Sequence, residues 1–301
     1  MHPAELKQTL RGVLAFAVTP FRQNYELDLP GLEVTIERLC GSGAGAIVCA
    51  GGVGEFYALD LNEYREVIQV AARVARGRIP LLAGIGHSTD IACGLARVAE
   101  AAGAAGLMIH PPYFVDPSLD GIVAHFAALG RASRLGQIVF CTGSFGYSPE
   151  MMLRLSDIEN VIGLKDEIGD LRQFVATVTA LGDRMAWING MAEPLAAAYF
   201  ASGAGSFTTG LANFCPEIPM AVLETAQSTD HSALQALLDK KVLPLAHLRS
   251  KRKGYATAVI KEAMNLLGFP AGPCRRPLLP LLPADREVLS RILVDLRLLE
   301  G

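Results

Sequence analysis

Lys165 closes a short apolar run, Val161-Ile-Gly-Leu164, and opens a charged cluster with Asp166 and Glu167. Such a run reads as a strand buried on both faces, so the ammonium stands at the carboxyl end of an internal strand. Desolvation there lowers its pKa and makes the neutral amine available as a nucleophile. The same residues also fit a plain strand-end lysine that reaches solvent along its stem or pairs with Asp166. A second stretch, Gly51-Gly-Val-Gly-Glu55, is a glycine-rich loop that follows another apolar run. Its backbone N–H groups suit a carboxylate. One amine facing an anion-binding loop is what Schiff-base chemistry on a 2-oxo acid requires. The amine condenses with the ketone, and the iminium then serves as an electron sink.

Eight strand signals must position these groups. They fall at residues 12–18, 46–50, 79–83, 106–110, 137–140, 161–165, 186–188 and 205–208. Helical patterns separate them: Asp28 precedes Pro30 at a helix start, and Asp60 with Glu63 forms a capping box. Gly43-Ala-Gly-Ala-Ile47, Gly103-Ala-Ala-Gly-Leu107 and Gly203-Ala-Gly-Ser-Phe207 each end a helix and enter a strand. Eight alternations predict an α/β fold, a closed (β/α)8 TIM barrel over residues 1–225. After Pro216 only helical patterns remain, at residues 218–226, 232–247, 253–267 and 285–299. Residues 226–301 are expected to form a C-terminal helical extension packed on the barrel. Gly41-x-Gly-x-Gly45 follows a helix and precedes a strand, the reverse of a dinucleotide cradle.

The 301 residues are 51% hydrophobic and 19% charged, with a net charge of -3, which argues against a nucleic-acid or membrane-surface binder. The basic run Arg249-Ser-Lys-Arg-Lys253 has no interleaved aromatic residues and reads as a solvated helix end. The six cysteines are widely spaced, without a Cys-x-x-Cys pair, and read as small buried hydrophobes in a reducing compartment. The six histidines show no metal-ligand spacing. Without a signal peptide or a long apolar stretch, the expected location is the cytoplasm, and no metal or membrane partner is expected.

Read in order, Ala17-Val-Thr-Pro-Phe21, Gly51-Gly-Val-Gly-Glu55, Pro111-Pro-Tyr113, Gly163-Leu-Lys-Asp166 with Gly169-Asp170, and Asn213-Phe-Cys-Pro216 form a specific set. Lys253-Gly-Tyr-Ala256 and Ala271-Gly-Pro273 continue it into the tail. Over essentially its full length the chain resembles the dihydrodipicolinate synthase / N-acetylneuraminate lyase family of Schiff-base aldolases, closest to the keto-deoxyglucarate dehydratase branch. The resemblance implies Lys165 as the imine former, with no cofactor beyond that covalent imine. It implies that the Gly52 and Val53 backbone holds the carboxylate of a small-molecule 2-oxo acid, and that Phe140, Gly190 and Phe207 line the pocket. It also implies a homo-oligomer, dimer or tetramer.

The chain departs from that pattern where protons move. The family's relay tyrosine at the end of strand five corresponds to Phe140, its neighbouring threonine to Val53, and a second tyrosine to Phe114. The basic side chain that grips a distal carboxylate near residues 140–145 is missing. Candidate substitutes are Tyr147, Tyr113 (a position that reaches a neighbouring subunit in the family), Thr142, Cys141 or an ordered water. Glu55 reads as a structural carboxylate anchoring its loop. Two functions fit: a lyase, aldolase or dehydratase, on pyruvate-like 2-oxo acids or deoxy-sugar acids, or a former enzyme that binds 2-oxo acids as a sensor or partner.

Overall fold

A computed structural model of the chain describes residues 1–112, 115–228 and 230–300. Eight parallel strands close into a barrel in chain order: β1 (Gly12–Phe16), β2 (Ala46–Cys49), β3 (Leu81–Ile85), β4 (Gly106–Ile109), β5 (Gly136–Thr142), β6 (Val161–Glu167), β7 (Ala186–Asn189) and β8 (Ser206–Thr209). The TIM barrel expected from the sequence is the fold observed. β3 begins two residues later than its apolar run suggested, because Pro80 lacks an N–H and contributes only a carbonyl, which accepts from the Ile47 N–H.

The helices form where capping residues allow. Asp28 accepts from the Gly31 N–H, and Asp60 and Glu63 complete a reciprocal capping box. Two helices outside the expected set, Leu119–Ala132 and Pro149–Ser156, flank β5. Leu14, Leu82, Met108, Ile138 and Ile188 fill the barrel interior. A short amino-terminal helix, Pro3–Thr9, inserts Leu6 into that filling. Gly106 starts β4 without a side chain because a Cβ there would lie 2.4 Å from Leu6 Cδ2.

β6 contains the irregularity that decides the site. Gln137 pairs with Val161 but Ile138 pairs with Gly163, so Ile162 is an extra residue, a β-bulge. Ile162 faces the interior. Strict alternation from it would turn Lys165 outward. The bulge resets the phase, so that Leu164 packs outward and Lys165 registers with the inward Phe140 and Ile188.

Beyond β8 come helices Glu217–Gln227, His231–Leu237, Leu243–Ser250, Tyr255–Leu266 and Pro283–Asp295. The first of these runs across position 225, where the sequence reading placed the end of the barrel. The single helix expected over 232–247 is interrupted by a π-type turn, Leu238–Val242, just ahead of Pro244, whose ring cannot donate within a regular helix. These helices share an apolar core with Val13 and Phe207 of the barrel. All six cysteines are free thiols. No helix among the described residues is long and apolar enough to cross a membrane.

Candidate active site at the carboxyl ends of the strands

Lys165 is 2% exposed and points into a cavity of about 370 Å³ at the strands' carboxyl ends. That volume lies in the usual range for ligand sites. Its Nζ lies 3.4 Å from the centroid of the Phe140 ring and 5.2 Å from that of Phe16. Nζ donates to Glu167 Oε2, two residues along the same strand. Burial pulls the ammonium below its ordinary pKa, while Glu167 and Asp166 oppose that shift. The burial of Lys165 sets aside a side chain that reaches solvent, and pairing with Asp166 is set aside because Asp166 faces the other way. Its carboxylate accepts from Tyr147 Oη at 3.1 Å, Tyr199 Oη at 2.8 Å and the Ile168 N–H at 2.7 Å, which fixes the end of β6.

Gly52 and Val53 line the same cavity, and neither N–H donates to a protein acceptor among the described residues. Their loop is built from strained backbone: Ala50 and Glu55 lie at φ 52° and 54°. Left-handed conformations of such residues persist only when their surroundings impose them. His110 Nε2 lies 3.3 Å from the Ala50 carbonyl. Gly84 must lack a side chain, since a Cβ would stand 2.0 Å from that same oxygen. At the loop's other end Glu55 is fully buried and anchored as expected. It pairs with Lys261 at 2.7 Å and accepts from the Arg275 N–H at 2.7 Å.

Phe140 and Gly190 also border the cavity. Phe207 does not: it registers with the outward Val13 and packs on Phe200, 6.1 Å between centroids. Thr208, paired with the inward Leu14, takes the cavity face instead. In a four-residue strand an offset of one position exchanges the two faces. Tyr147 is buried outside the barrel with its hydroxyl on Asp166. Thr142 is engaged with the Ser144 hydroxyl at 2.9 Å. Cys141 is buried in the outer layer. Tyr113 and Phe114 lie outside the described residues.

Several cavity residues were not singled out from the sequence. Glu167 was visible only as part of a charged cluster, although its spacing of two from Lys165 on a strand is a same-face signal. Arg249 belongs to the basic run whose pattern predicts a solvated helix end. Helix Leu243–Ser250 instead packs against helix Tyr255–Leu266, and Arg249 lines the cavity, half-buried, with Nε donating to the Ala256 carbonyl at 3.2 Å. Burial pulls its guanidinium below the ordinary range, opposed by Glu193 and Glu167. Burial pushes the Glu193 carboxyl up, and its Oε1 has no hydrogen-bond partner among the described residues. Thr257 completes the wall from helix Tyr255–Leu266. The extension therefore brings a cation to the site where the sequence reading found no distal anion clamp.

The profile of the Dihydrodipicolinate synthetase family matches residues 9–296. A probable 5-dehydro-4-deoxyglucarate dehydratase of Acidovorax ebreus is 35% identical over 297 residues, spanning 97% of this chain and 98% of that protein. Another, of Bradyrhizobium diazoefficiens, is 35% identical over 300 residues, spanning 98% of this chain and 96% of its own. Among solved structures, dihydrodipicolinate synthase from Oceanobacillus iheyensis superposes with a TM-score of 0.93 at 30% identity, covering 98% of this chain and 99% of that one.

Proposed function

The chain belongs to the dihydrodipicolinate synthetase family, and on that premise we propose that it is a Schiff-base lyase whose Lys165 forms an imine with a 2-oxo acid. The observation that carries this is a buried amine with a lowered pKa in the same cavity as Gly52 and Val53, whose N–H groups donate to no protein acceptor among the described residues. The neutral amine attacks the ketone while the Gly52 and Val53 N–H groups hold the adjacent carboxylate. That geometry aligns the carbonyl carbon with Nζ. The imine is covalent on Lys165 and calls for no separate cofactor.

The relatives' names support a substrate class. Their 5-dehydro-4-deoxyglucarate is a diacid with a ketone beside one carboxylate, a methylene next to it, and hydroxyls before a second carboxylate. Elimination of water across the methylene and its hydroxylated neighbour is the chemistry an iminium promotes. Arg249 offers the far carboxylate a charge-assisted partner, in a cavity otherwise walled largely by carbon. Dehydration of a deoxy-sugar diacid therefore fits this site better than condensation of pyruvate with an apolar acceptor.

Borohydride trapping tests the imine. Pyruvate, and separately 5-dehydro-4-deoxyglucarate, should each leave a reduced adduct that peptide mass spectrometry places on Lys165 and that Lys165→Ala abolishes. Absence of an adduct with both acids sinks the imine. Adducts without turnover of the diacid would favour a 2-oxo acid binder, a possibility supported by the carbon side chains at Phe140 and Val53.

A further inference from the structure

An iminium is useful only if some group can take a proton from the carbon beside it. The polar groups around Lys165 are mostly engaged elsewhere. Tyr147 and Tyr199 donate to Asp166 on the outer side of β6. The Thr208 hydroxyl donates to the Asn189 carbonyl at 3.4 Å, and Thr209 Oγ1 accepts from the Leu211 N–H at 2.9 Å. Tyr57 Oη donates to Glu55 Oε2 at 3.2 Å. His110 is stacked on Phe56, 5.0 Å between centroids, with Nε2 on the Ala50 carbonyl. Phe16, Val53 and Phe140 contribute only carbon.

We propose that Glu167 is the acid–base residue of this site. The bulge that turns Lys165 inward turns Glu167 inward as well, because both follow it on alternate positions. Glu167 Oε2 is in hydrogen-bond contact with Nζ, the atom that becomes the imine nitrogen. Its side chain is 43% exposed and lines the cavity, so the carboxylate meets both the reacting nitrogen and incoming substrate. The inference rests on the imine chemistry above and adds the group that moves the proton.

The steps balance. Nζ adds to the ketone, and Glu167 relays protons as the carbinolamine loses water and the iminium forms. The Glu167 carboxylate then removes a proton from the adjacent methylene. The C–H pair becomes a C=C bond, the iminium pair moves onto nitrogen, and a neutral enamine stands beside a neutral carboxylic acid. Two neighbouring opposite charges thereby disappear in a poorly solvated cavity. Next the enamine nitrogen pair re-forms C=N, the enamine C=C pair shifts to make a C=C bond to the hydroxylated carbon, that carbon's C–O bond breaks with its pair on oxygen, and the oxygen takes the proton from Glu167. Water leaves and the carboxylate is restored. Hydrolysis frees the product and Lys165. No oxidant or reductant enters.

Glu167→Gln and Glu167→Asp test this against a role as a mere counter-ion of Lys165. The readouts are the fraction of enzyme trapped by borohydride with pyruvate and the rate of deuterium wash-in at pyruvate C3 in D2O. Wild type must trap an adduct, and if it does not, the imine itself fails rather than Glu167. Expressed per trapped imine, exchange should fall about 10²–10⁴-fold in Glu167→Gln, the usual worth of a positioned acid–base group. Glu167→Asp, which keeps the carboxylate one methylene further back, should recover part of the rate. Exchange per imine within threefold of wild type in Glu167→Gln, or no recovery of its loss in Glu167→Asp, would overturn the assignment.

Discussion

Lys261→Met should cost this protein stability and loosen substrate binding together, because one ammonium ties the C-terminal extension to the glycine-rich loop. Its Nζ, 1% exposed, gives all three protons to protein oxygens. They are Thr19 O at 3.0 Å, Glu55 Oε1 at 2.7 Å and Pro273 O at 2.8 Å. Removing the amine leaves the buried Glu55 carboxylate with uncharged donors, among them the Arg275 N–H and the Tyr57 hydroxyl. Breaking a buried pair from one side costs about 3–5 kcal/mol. At roughly 2 °C per kcal/mol for a chain of this size, the thermal midpoint should drop by about 6–10 °C. Glu55→Gln in the Lys261→Met background removes the stranded charge and keeps an acceptor for the Arg275 N–H. The double variant should therefore be more stable than Lys261→Met, with a coupling of about 2 kcal/mol or more in the double-mutant cycle. The paired functional readout is pyruvate affinity from the concentration dependence of trapping, which should weaken in Lys261→Met as residues 50–55 relax from their strained backbone. A midpoint within about 2 °C of wild type, or strictly additive variants, would refute the claim that this pair holds the loop.

Arg249→Leu should raise KM for the diacid roughly 10–100-fold, the worth of one charge-assisted hydrogen bond. Deuterium exchange at C3 of pyruvate, which has no far carboxylate, should change little, and equal losses for both would remove Arg249 from the distal subsite. His110 gives an acid-side stability effect. Burial lowers its pKa from 6.5 to about 4, so the unfolded chain takes up its proton first as pH falls. Stability from the neutral ring is complete above about pH 6.5 and lost progressively toward pH 4, by up to about 3 kcal/mol. Thermal midpoints measured across that window should slope less steeply in His110→Gln, and identical slopes would remove His110 as the cause.

Sequence alone determined the barrel and its central lysine. The eight alternations, the caps at Asp28 and Asp60, and the apolar run ending in Lys165 are local patterns, set by side-chain periodicity and backbone hydrogen bonding within a few residues. The same locality makes the glycine loop legible and marks Glu55 as an anchor. Three features came only with the tertiary structure. The facing of Lys165 and Glu167 depends on the bulge at Ile162, visible in the pairing of β5 with β6 and in neither strand by itself. The exchange of Phe207 for Thr208 depends on the register of β8 against β1, since a four-residue strand carries too few alternations to fix its own phase. Arg249 and Lys261 reach the site from helices remote in sequence, the latter 206 residues from its partner Glu55. Their charges look like solvated helix residues until packing brings Arg249 to the cavity and Lys261 to the loop beside it. Local pattern names the elements, but which side chains share one cavity is settled by register and by long-range packing.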